Sequence, residues 1–319
     1  MTCILALENK NIEDIVIVDD SINKSYGSGI YISVGEKISL LDLLYGLMLR
    51  SGNDAAIMIS TYVSGSEEEF VKLMNQKAKE IGMKNTIFYN SSGLDNTTRG
   101  NLSTAYDMAL LTRYAMQNEQ YRNIVKTKEY TVKTNLKTYV WHNKNKLLQY
   151  DYITGGKTGY TEKAKRTLVS TASKNNLNLI VVTIKDSDDW NTHKSLYEEA
   201  FDTYKSYKII DKDNFSVIGD TYYDDLYIKN DIKVILSIFS REIQKMGIDA
   251  KRARFIFIID NDKQREDISV VVRDLGISAF FEVSNNVKRD NVQEEAKKRI
   301  ENLESEKLRD GKGKIDSIT

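Results

Sequence analysis

Hydrophobic residues recur at helical spacing in several parts of the chain. The leucines and the methionine of residues 40–48 share one face, which predicts an amphipathic helix capped by Ser39 and ending near Arg50. A second helix is predicted to begin after residues 51–53. Residues 1–8, MTCILALE, are apolar without an N-cap or an acidic first turn. We therefore expect them to continue a helix that starts further upstream.

Three more helices and one loop follow from the pattern. The helices are predicted at 66–82, 104–116 and 189–205. Residues 84–101 are rich in Asn, Ser, Gly and Thr and predict an ordered loop.

Strands are predicted where short runs are continuously apolar or alternate in polarity. Four such runs are 15–18, 30–34, 128–133 and 138–142. Residues 167–172 and 177–184 are predicted to form a hairpin that turns at Lys174-Asn175-Asn176. Helices flanked by antiparallel hairpins favour an α/β (α+β) sandwich over a regular βαβ repeat.

The composition changes after about residue 206, so we expect a domain over 1–205 and a smaller C-terminal α/β or β-rich region over 206–319. In that region the sequence predicts strands within 207–229, a helix at 231–246, two buried strands with a helix between them, and a charged helical tail. The two buried strands are 255–259 and 279–283, and the tail helix is 291–310.

Charge and composition exclude several functions. Lys+Arg and Asp+Glu both number 46, which argues against a dedicated nucleic-acid binder. No apolar run is long enough to span a membrane, the last helix is too polar to support a membrane anchor, and no signal peptide is visible. Cys3 is expected to be a buried apolar residue. His142 and His193 lack neighbouring metal ligands, so no metal site is expected.

Two short motifs carry candidate chemistry. Ser51-Gly52-Asn53 lies at the junction of two predicted helices, and Lys157-Thr158-Gly159 leads into the predicted hairpin. A lysine on an edge strand supplies a positive charge for a peptide carboxylate, and a threonine hydroxyl adds a hydrogen bond. A serine and an asparagine opposite can pass a proton and hold an amide. The alternative for Ser51-Gly52-Asn53 is a plain helix cap.

The surrounding sequence resembles the serine-type D-alanyl-D-alanine carboxypeptidases, the low-molecular-weight penicillin-binding proteins, over residues 1–205. The similar stretches are LLYGLMLRSGNDAA (43–56), NSSGLDN (90–96), NLSTAYDMALL (101–111), HNKNKLL (142–148) and YITGGKTGYTEKAKRTLVSTA (152–172). The motif set of this fold is S-x-x-K, then S-x-N, then K-T-G. Ser51 and Asn53 match the second motif, and Lys157, Thr158 and Gly159 match the third.

The resemblance implies a β-lactamase/transpeptidase-like fold and removal of the terminal D-alanine from pentapeptide stems of peptidoglycan. It implies that Ser51 assists proton transfer, that Asn53 holds the acyl amide, and that Lys157 with Thr158 binds the terminal carboxylate. The N–H of Tyr160 would donate to the oxyanion. It further implies inhibition by β-lactam antibiotics, no cofactor, and action outside the cytoplasmic membrane.

The first motif departs from the family pattern. The resemblance places its serine nucleophile and lysine base a few residues before Met1, so we expect this chain to be inactive by itself. Ser21-Ile22-Asn23-Lys24 matches S-x-x-K literally but lies in a predicted polar turn, so a loop serine and a solvated lysine are expected there.

Two other functions stay open at this point. The chain could be a non-catalytic peptidoglycan- or β-lactam-binding relic or a gene fragment. A class A β-lactamase is less favoured, because residue 52 is Gly where that class normally has Asp, and no loop with a deacylating glutamate is evident.

Overall fold

The computed structural model describes residues 1–95, 100–206, 247, 254–259 and 278–283. The chain separates into two compact units, Met1–Ser206 and Tyr207–Thr319. In the second unit the described strands Arg254–Ile259 (β8) and Ser278–Val283 (β9) pair in parallel. The other elements predicted beyond residue 206 lie outside the described residues.

The first unit contains seven α-helices and seven strands within its described residues. The helices are α1 Thr2–Asn9, α2 Leu40–Tyr45, α3 Asn53–Ser64, α4 Glu67–Glu80, α5 Ala105–Ala115, α6 Glu119–Lys126 and α7 Asp189–Thr203. The strands are β1 Ile15–Ile17, β2 Lys37–Ser39, β3 Glu129–Lys133, β4 Thr138–His142, β5 Ile153–Thr161, β6 Lys165–Lys174 and β7 Leu177–Ile184. In the second unit, β8 is Arg254–Ile259 and β9 is Ser278–Val283.

Polar side chains start most of the helices. The hydroxyl of Ser39 accepts a hydrogen bond from the N–H of Asp42, and Ser66, Thr104 and Asn118 cap α4, α5 and α6 in the same way. Each cap satisfies one backbone donor that the helix itself leaves free. The predicted start of α2 at Ser39 is therefore confirmed.

A three-stranded antiparallel sheet, in the order β5-β6-β7, places the third motif. Asn175 and Asn176 connect β6 to β7 with φ angles of 53° and 61°, the left-handed values that a two-residue hairpin turn needs. Leu168 of β6 is fully buried against Tyr197 and Phe201 of α7. The predicted hairpin and α7 are confirmed, and β5 is the edge strand that carries Lys157.

Helices α1 to α4 form the layer that holds the second motif, Ser51-Gly52-Asn53. Their apolar faces share two core clusters, with Leu40, Leu43, Leu44 and Ile59 in one and Phe70 and Met74 in the other. Cys3 lies in this core, 2% exposed, and burial raises the pKa of its thiol to about 12. Cys3 is thus a buried apolar residue, as predicted. Helices and antiparallel sheets together confirm the α+β class.

One strand prediction is wrong, and one helix was missed. Residues 30–34 form no strand; β2 lies at Lys37–Ser39 and pairs with β1. The N–H groups of Ile30 and Tyr31 are bound by the carboxylate of Asp54, and Tyr31 has a φ of 61°. Both features prevent these residues from pairing with a neighbouring strand. Helix α6 was not predicted from the sequence.

Candidate active site

Ser51 lies at a sharp bend between two helices. The chain after α2 continues as one π-helical segment, Gly46–Arg50, and Ser51 then adopts a left-handed conformation with φ 59° and ψ 47°. A left-handed serine is strained, and such strain concentrates at functional sites. Helix α3 starts two residues later at Asn53. The bend brings Ser51 to the C-terminal end of one helical segment and Asn53 to the first turn of the next.

Lys157 joins the two motifs directly. Its Nζ donates hydrogen bonds to the Oγ of Ser51 and, at 2.7 Å, to the carbonyl oxygen of Thr158. Burial, and then the positive charge of Lys144, lowers the pKa of Lys157 to about 7. Lys157 is therefore a cation that can release its proton near neutral pH, next to a hydroxyl.

Close packing of the edge strand fixes Lys157. A Cβ on Gly156 would overlap the carbonyl oxygen of Val169 in β6, so the strand tolerates only glycine there. Gly159 pairs with Thr167, and a Cβ on Gly159 would come too close to the Oγ1 of Thr167. Both glycines let β5 lie close to its neighbours and leave its outer edge free for a peptide.

Asn53 is held by one half of its amide. Its Nδ2 donates to the carbonyl oxygen of Tyr26 at 2.6 Å, and its backbone N–H donates to Ser28 at 2.8 Å. Within the described residues no donor binds its Oδ1. Because the nitrogen is already committed, the oxygen of Asn53 is oriented as an acceptor, which is what a substrate amide N–H requires.

Asp54 is a structural residue of the site that the sequence reading missed. Its carboxylate is 5% exposed and accepts hydrogen bonds from the backbone N–H groups of Ile30, Tyr31 and Ala55, at 2.7 to 3.1 Å. The loop that supplies Tyr26 is thereby tied to the start of α3. An acidic residue in the first turn of a helix is the only sequence signal of this role.

The remaining predicted residues line the edge of β5. Thr158 is half-buried, and its hydroxyl makes no hydrogen bond within the described part of the chain. Tyr160 is 59% exposed and donates from its hydroxyl to Glu162 at 3.1 Å. The structure thus brings Ser51 and Lys157 into contact, while Thr158, Gly159 and Tyr160 follow along the open strand edge.

The literal S-x-x-K match does not form a catalytic pair. Residues 20–24 form a short 3₁₀ helix, in which the Oγ of Ser21 is buried without a hydrogen-bond partner among the described residues. The side chain of Lys24 is exposed and is not bonded to Ser21. Lys157, rather than Lys24, donates to the serine of a candidate motif, Ser51.

The two histidines contact side chains other than those of the two motifs. His193 is fully buried, and its ring nitrogens bond to Ser170 at 2.7 Å and to Thr183 at 3.0 Å. His142 pairs with Glu129 at the surface, at 3.0 Å. Among the described residues no group of three potential ligands could hold a metal ion, and no helix is long and apolar enough to cross a membrane.

Comparison with known proteins gives one consistent result. The model of the peptidase S11 family, D-alanyl-D-alanine carboxypeptidase, matches residues 1–188. The D-alanyl-D-alanine carboxypeptidase DacF of Bacillus subtilis is 42% identical over 158 residues, which are 49% of this chain and 40% of that protein. DacC of Escherichia coli is 38% identical over 166 residues, 51% of this chain and 40% of that protein. The chain thus spans less than half the length of these two relatives.

Solved structures of D-alanyl-D-alanine peptidases are also similar to this chain. The D-alanyl-D-alanine carboxypeptidase of Mycobacterium tuberculosis superposes with a TM-score of 0.61 at 27% identity, over 64% of this chain and 79% of that one. The Streptomyces K15 DD-transpeptidase gives a TM-score of 0.59 at 29% identity, over 63% of this chain and 84% of that one.

Proposed function

The chain belongs to the peptidase S11 family of D-alanyl-D-alanine carboxypeptidases, and on that basis we propose that it binds the D-alanyl-D-alanine end of peptidoglycan stem peptides for removal of the terminal D-alanine. The observation that carries this proposal is the hydrogen bond from Lys157 to Ser51. It joins the second and third motifs of the family into one polar site beside an open strand edge.

Each polar group then has a role set by its chemistry. Lys157, with the hydroxyl of Thr158, binds the terminal carboxylate. The free oxygen of Asn53 accepts the amide N–H on the acyl side of the scissile bond. The backbone N–H of Tyr160 donates to the oxyanion. Ser51, in contact with Lys157, passes a proton to the leaving amine.

In this proposal the nucleophile is the serine of an S-x-x-K motif, as the family resemblance implies. Its Oγ would attack the carbonyl of the penultimate D-alanine, with the motif lysine taking the proton. The C–N bond breaks, D-alanine leaves with a proton on its amine, and water hydrolyses the acyl-serine. β-Lactams acylate the same serine because they mimic the substrate. This chemistry would act on the cell wall, outside the cytoplasmic membrane.

Labelling with a fluorescent penicillin tests this function. We expect a chain extended upstream through an S-x-x-K motif to form a covalent adduct that survives denaturation, and the 319-residue chain to form none. Replacing the motif serine by alanine in the extended chain is the matched control and should abolish the adduct. The proposal fails if the extended chain, folded and carrying the serine, neither labels nor releases D-alanine from a pentapeptide.

A further inference from the structure

The segment that follows β4 contacts both backbone stretches that carry the second and third motifs. The backbone N–H of Lys144 donates to the carbonyl oxygen of Leu49 at 3.2 Å, two residues before the serine of the second motif. One residue later, the Nδ2 of Asn145 lies 3.0 Å from where a Cβ on Gly156 would be, directly before the lysine of the third motif. Residues 143–145 therefore bridge the bend after α2 and the edge strand β5.

The side chain of Asn145 is buried and fixed from two sides. Its Oδ1 accepts a hydrogen bond from the N–H of Leu147 at 3.0 Å, and its backbone N–H donates to the Oδ1 of Asn143 at 2.9 Å. Its Nδ2 has no hydrogen-bond partner among the described residues, although the residue is only 3% exposed. A buried donor without a partner costs free energy. The amide group therefore supports Gly156 by contact and not through a hydrogen bond.

Asn143 connects this segment to helix α6. Its Nδ2 donates to the carbonyl oxygen of Thr127 at 2.9 Å, at the C-terminal end of α6, where a helix leaves carbonyl groups without partners. Helix α6 in turn lies against β5, since a Cβ on Gly155 would overlap the side chain of Val125. Two adjacent residues of β5 are thus supported by α6 and by Asn145, and Asn143 holds these two supports together.

We propose that Asn143 and Asn145 are positioning residues, which hold β5 where Lys157 meets the second motif. The inference rests on the proposed function, since the contact that they maintain is the one that joins the two motifs. The hydrogen bonds of Lys157 go to Ser51 and Thr158 and not to either asparagine. Both asparagines therefore act through the backbone of β5.

The titration of Lys157 in the 319-residue chain tests this role without a ligand and without catalysis. Lysines that carry an isotope label at Cε are followed by NMR, and the signal absent from Lys157→Ala identifies Lys157. In the unmodified chain burial should hold the pKa of Lys157 at about 7.

Asn145→Ser removes the support and keeps the cap. A serine hydroxyl can still accept from the N–H of Leu147, but no amide group reaches Gly156. The gap beside β5 lets the strand shift or admits water, so Lys157 is less buried and its acid dissociation constant should fall about tenfold or more. Asn143→Ala, at a less buried position, should act in the same direction more weakly and serves if Asn145→Ser does not fold.

Binding of a stem-peptide analogue gives a second readout. The probe is an N-acylated peptide that ends in D-Ala-D-Ala with a free carboxylate, the acid peptide, and calorimetry measures its affinity. Below pH 6 Lys157 is protonated in the unmodified chain and in the variants, so a difference there reports position and not charge. We expect Asn145→Ser to weaken binding about tenfold, because a displaced ammonium group meets the carboxylate poorly.

Asn75→Ser is the matched control. Asn75 is a partly buried residue of α4 that also holds a loop by its amide, with its Nδ2 donating to the carbonyl oxygen of Phe88 and its Oδ1 accepting from the N–H of Phe88, both at 2.8 Å. Its replacement should lower the melting temperature and leave both the titration of Lys157 and the affinity for the acid peptide unchanged.

The positioning role is overturned if Asn145→Ser, shown by thermal melting to be folded, leaves both readouts unchanged. It is equally overturned if Asn75→Ser shifts both as much, because general loosening would then be the cause. An unmodified chain that does not bind the acid peptide would count against the proposed function alone, since the titration of Lys157 requires no ligand.

Discussion

The Nζ of Lys157 donates a hydrogen bond to the Oγ of Ser51, across 106 positions of sequence. The contact depends on two backbone features, the left-handed bend at Ser51 and the close approach of β5 to β6 at Gly156. It gives the ammonium group a partner while leaving it near an open strand edge. Lys157 is therefore placed both to bind an anion and to exchange a proton.

The first prediction concerns the proton of Lys157. Its pKa is about 7 in the free site, and a bound carboxylate raises it. Below pH 6 Lys157 is protonated whether the ligand is bound or not. Between about pH 7 and 9 the free site is increasingly neutral and the complex is protonated, so binding takes up to one proton and affinity falls up to tenfold per pH unit. Calorimetry of the acid peptide in buffers of different ionisation enthalpy measures this uptake.

Lys144→Gln provides the control for this linkage. Removing the charge of Lys144 raises the pKa of Lys157, so proton uptake should shift to higher pH. Proton uptake that stays unchanged in this variant, or binding that releases protons near pH 8, would contradict the assignment.

The second prediction concerns Asp54. Asp54→Ala leaves the buried N–H of Ile30 and the partly buried N–H of Tyr31 without acceptors and should cost about 2–4 kcal/mol in the free energy of unfolding. Urea unfolding measures this cost. Asp54→Asn keeps one acceptor oxygen and should cost less. Because the loop also supplies the partner of Asn53, affinity for the acid peptide should fall in Asp54→Ala even well below the unfolding transition.

The helix starts and the hairpin could be predicted from local sequence. Ser39 caps α2, and Asn175-Asn176 supplies two left-handed residues to the β6–β7 turn, so the physical cause lies within a few positions. The alternation over 30–34 wrongly predicted a strand. The carboxylate of Asp54, more than twenty positions away, accepts hydrogen bonds from that backbone instead. Helix α6 was missed because it has only eight residues and few apolar positions.

The site was predictable only in part for the same reason. The residue types of the two motifs, with the family resemblance, indicated which side chains act together. Nothing local indicates that Lys157 contacts Ser51, because this contact depends on how β5 and the bend after α2 pack. The roles that the resemblance gives to Asn53, Thr158 and Tyr160 remain predictions.

The third prediction concerns the edge strand. Gly156→Ala places a methyl group on the carbonyl oxygen of Val169, and relief requires β5 to move from β6. We expect a loss of about 2–4 kcal/mol in unfolding free energy and weaker binding of the acid peptide, because Lys157 moves with the strand. Gly35→Ala is the matched control. Gly35 has a φ of 85° but open space around it, so only backbone strain, about 1 kcal/mol, is expected.

The fourth prediction concerns the buried polar cluster between the sheet and α7. His193 is fully buried between Ser170 and Thr183, and burial lowers its pKa from 6.5 to about 4. Its neutral form is therefore favoured by folding. The stability that this provides is fully present above pH 6.5 and is lost progressively as pH falls towards 4, because the unfolded chain binds the proton first.

Thermal unfolding between pH 7.5 and 5 measures this loss, above the range in which most carboxylates titrate. We expect the unfolding free energy to fall by about 1–2 kcal/mol across that window, a value that allows for screening by solvent. His193→Gln keeps a polar side chain that does not titrate, so it should lower stability at pH 7.5 but flatten the pH dependence. A variant whose stability still falls as steeply as that of the unmodified chain would show that other groups cause the effect.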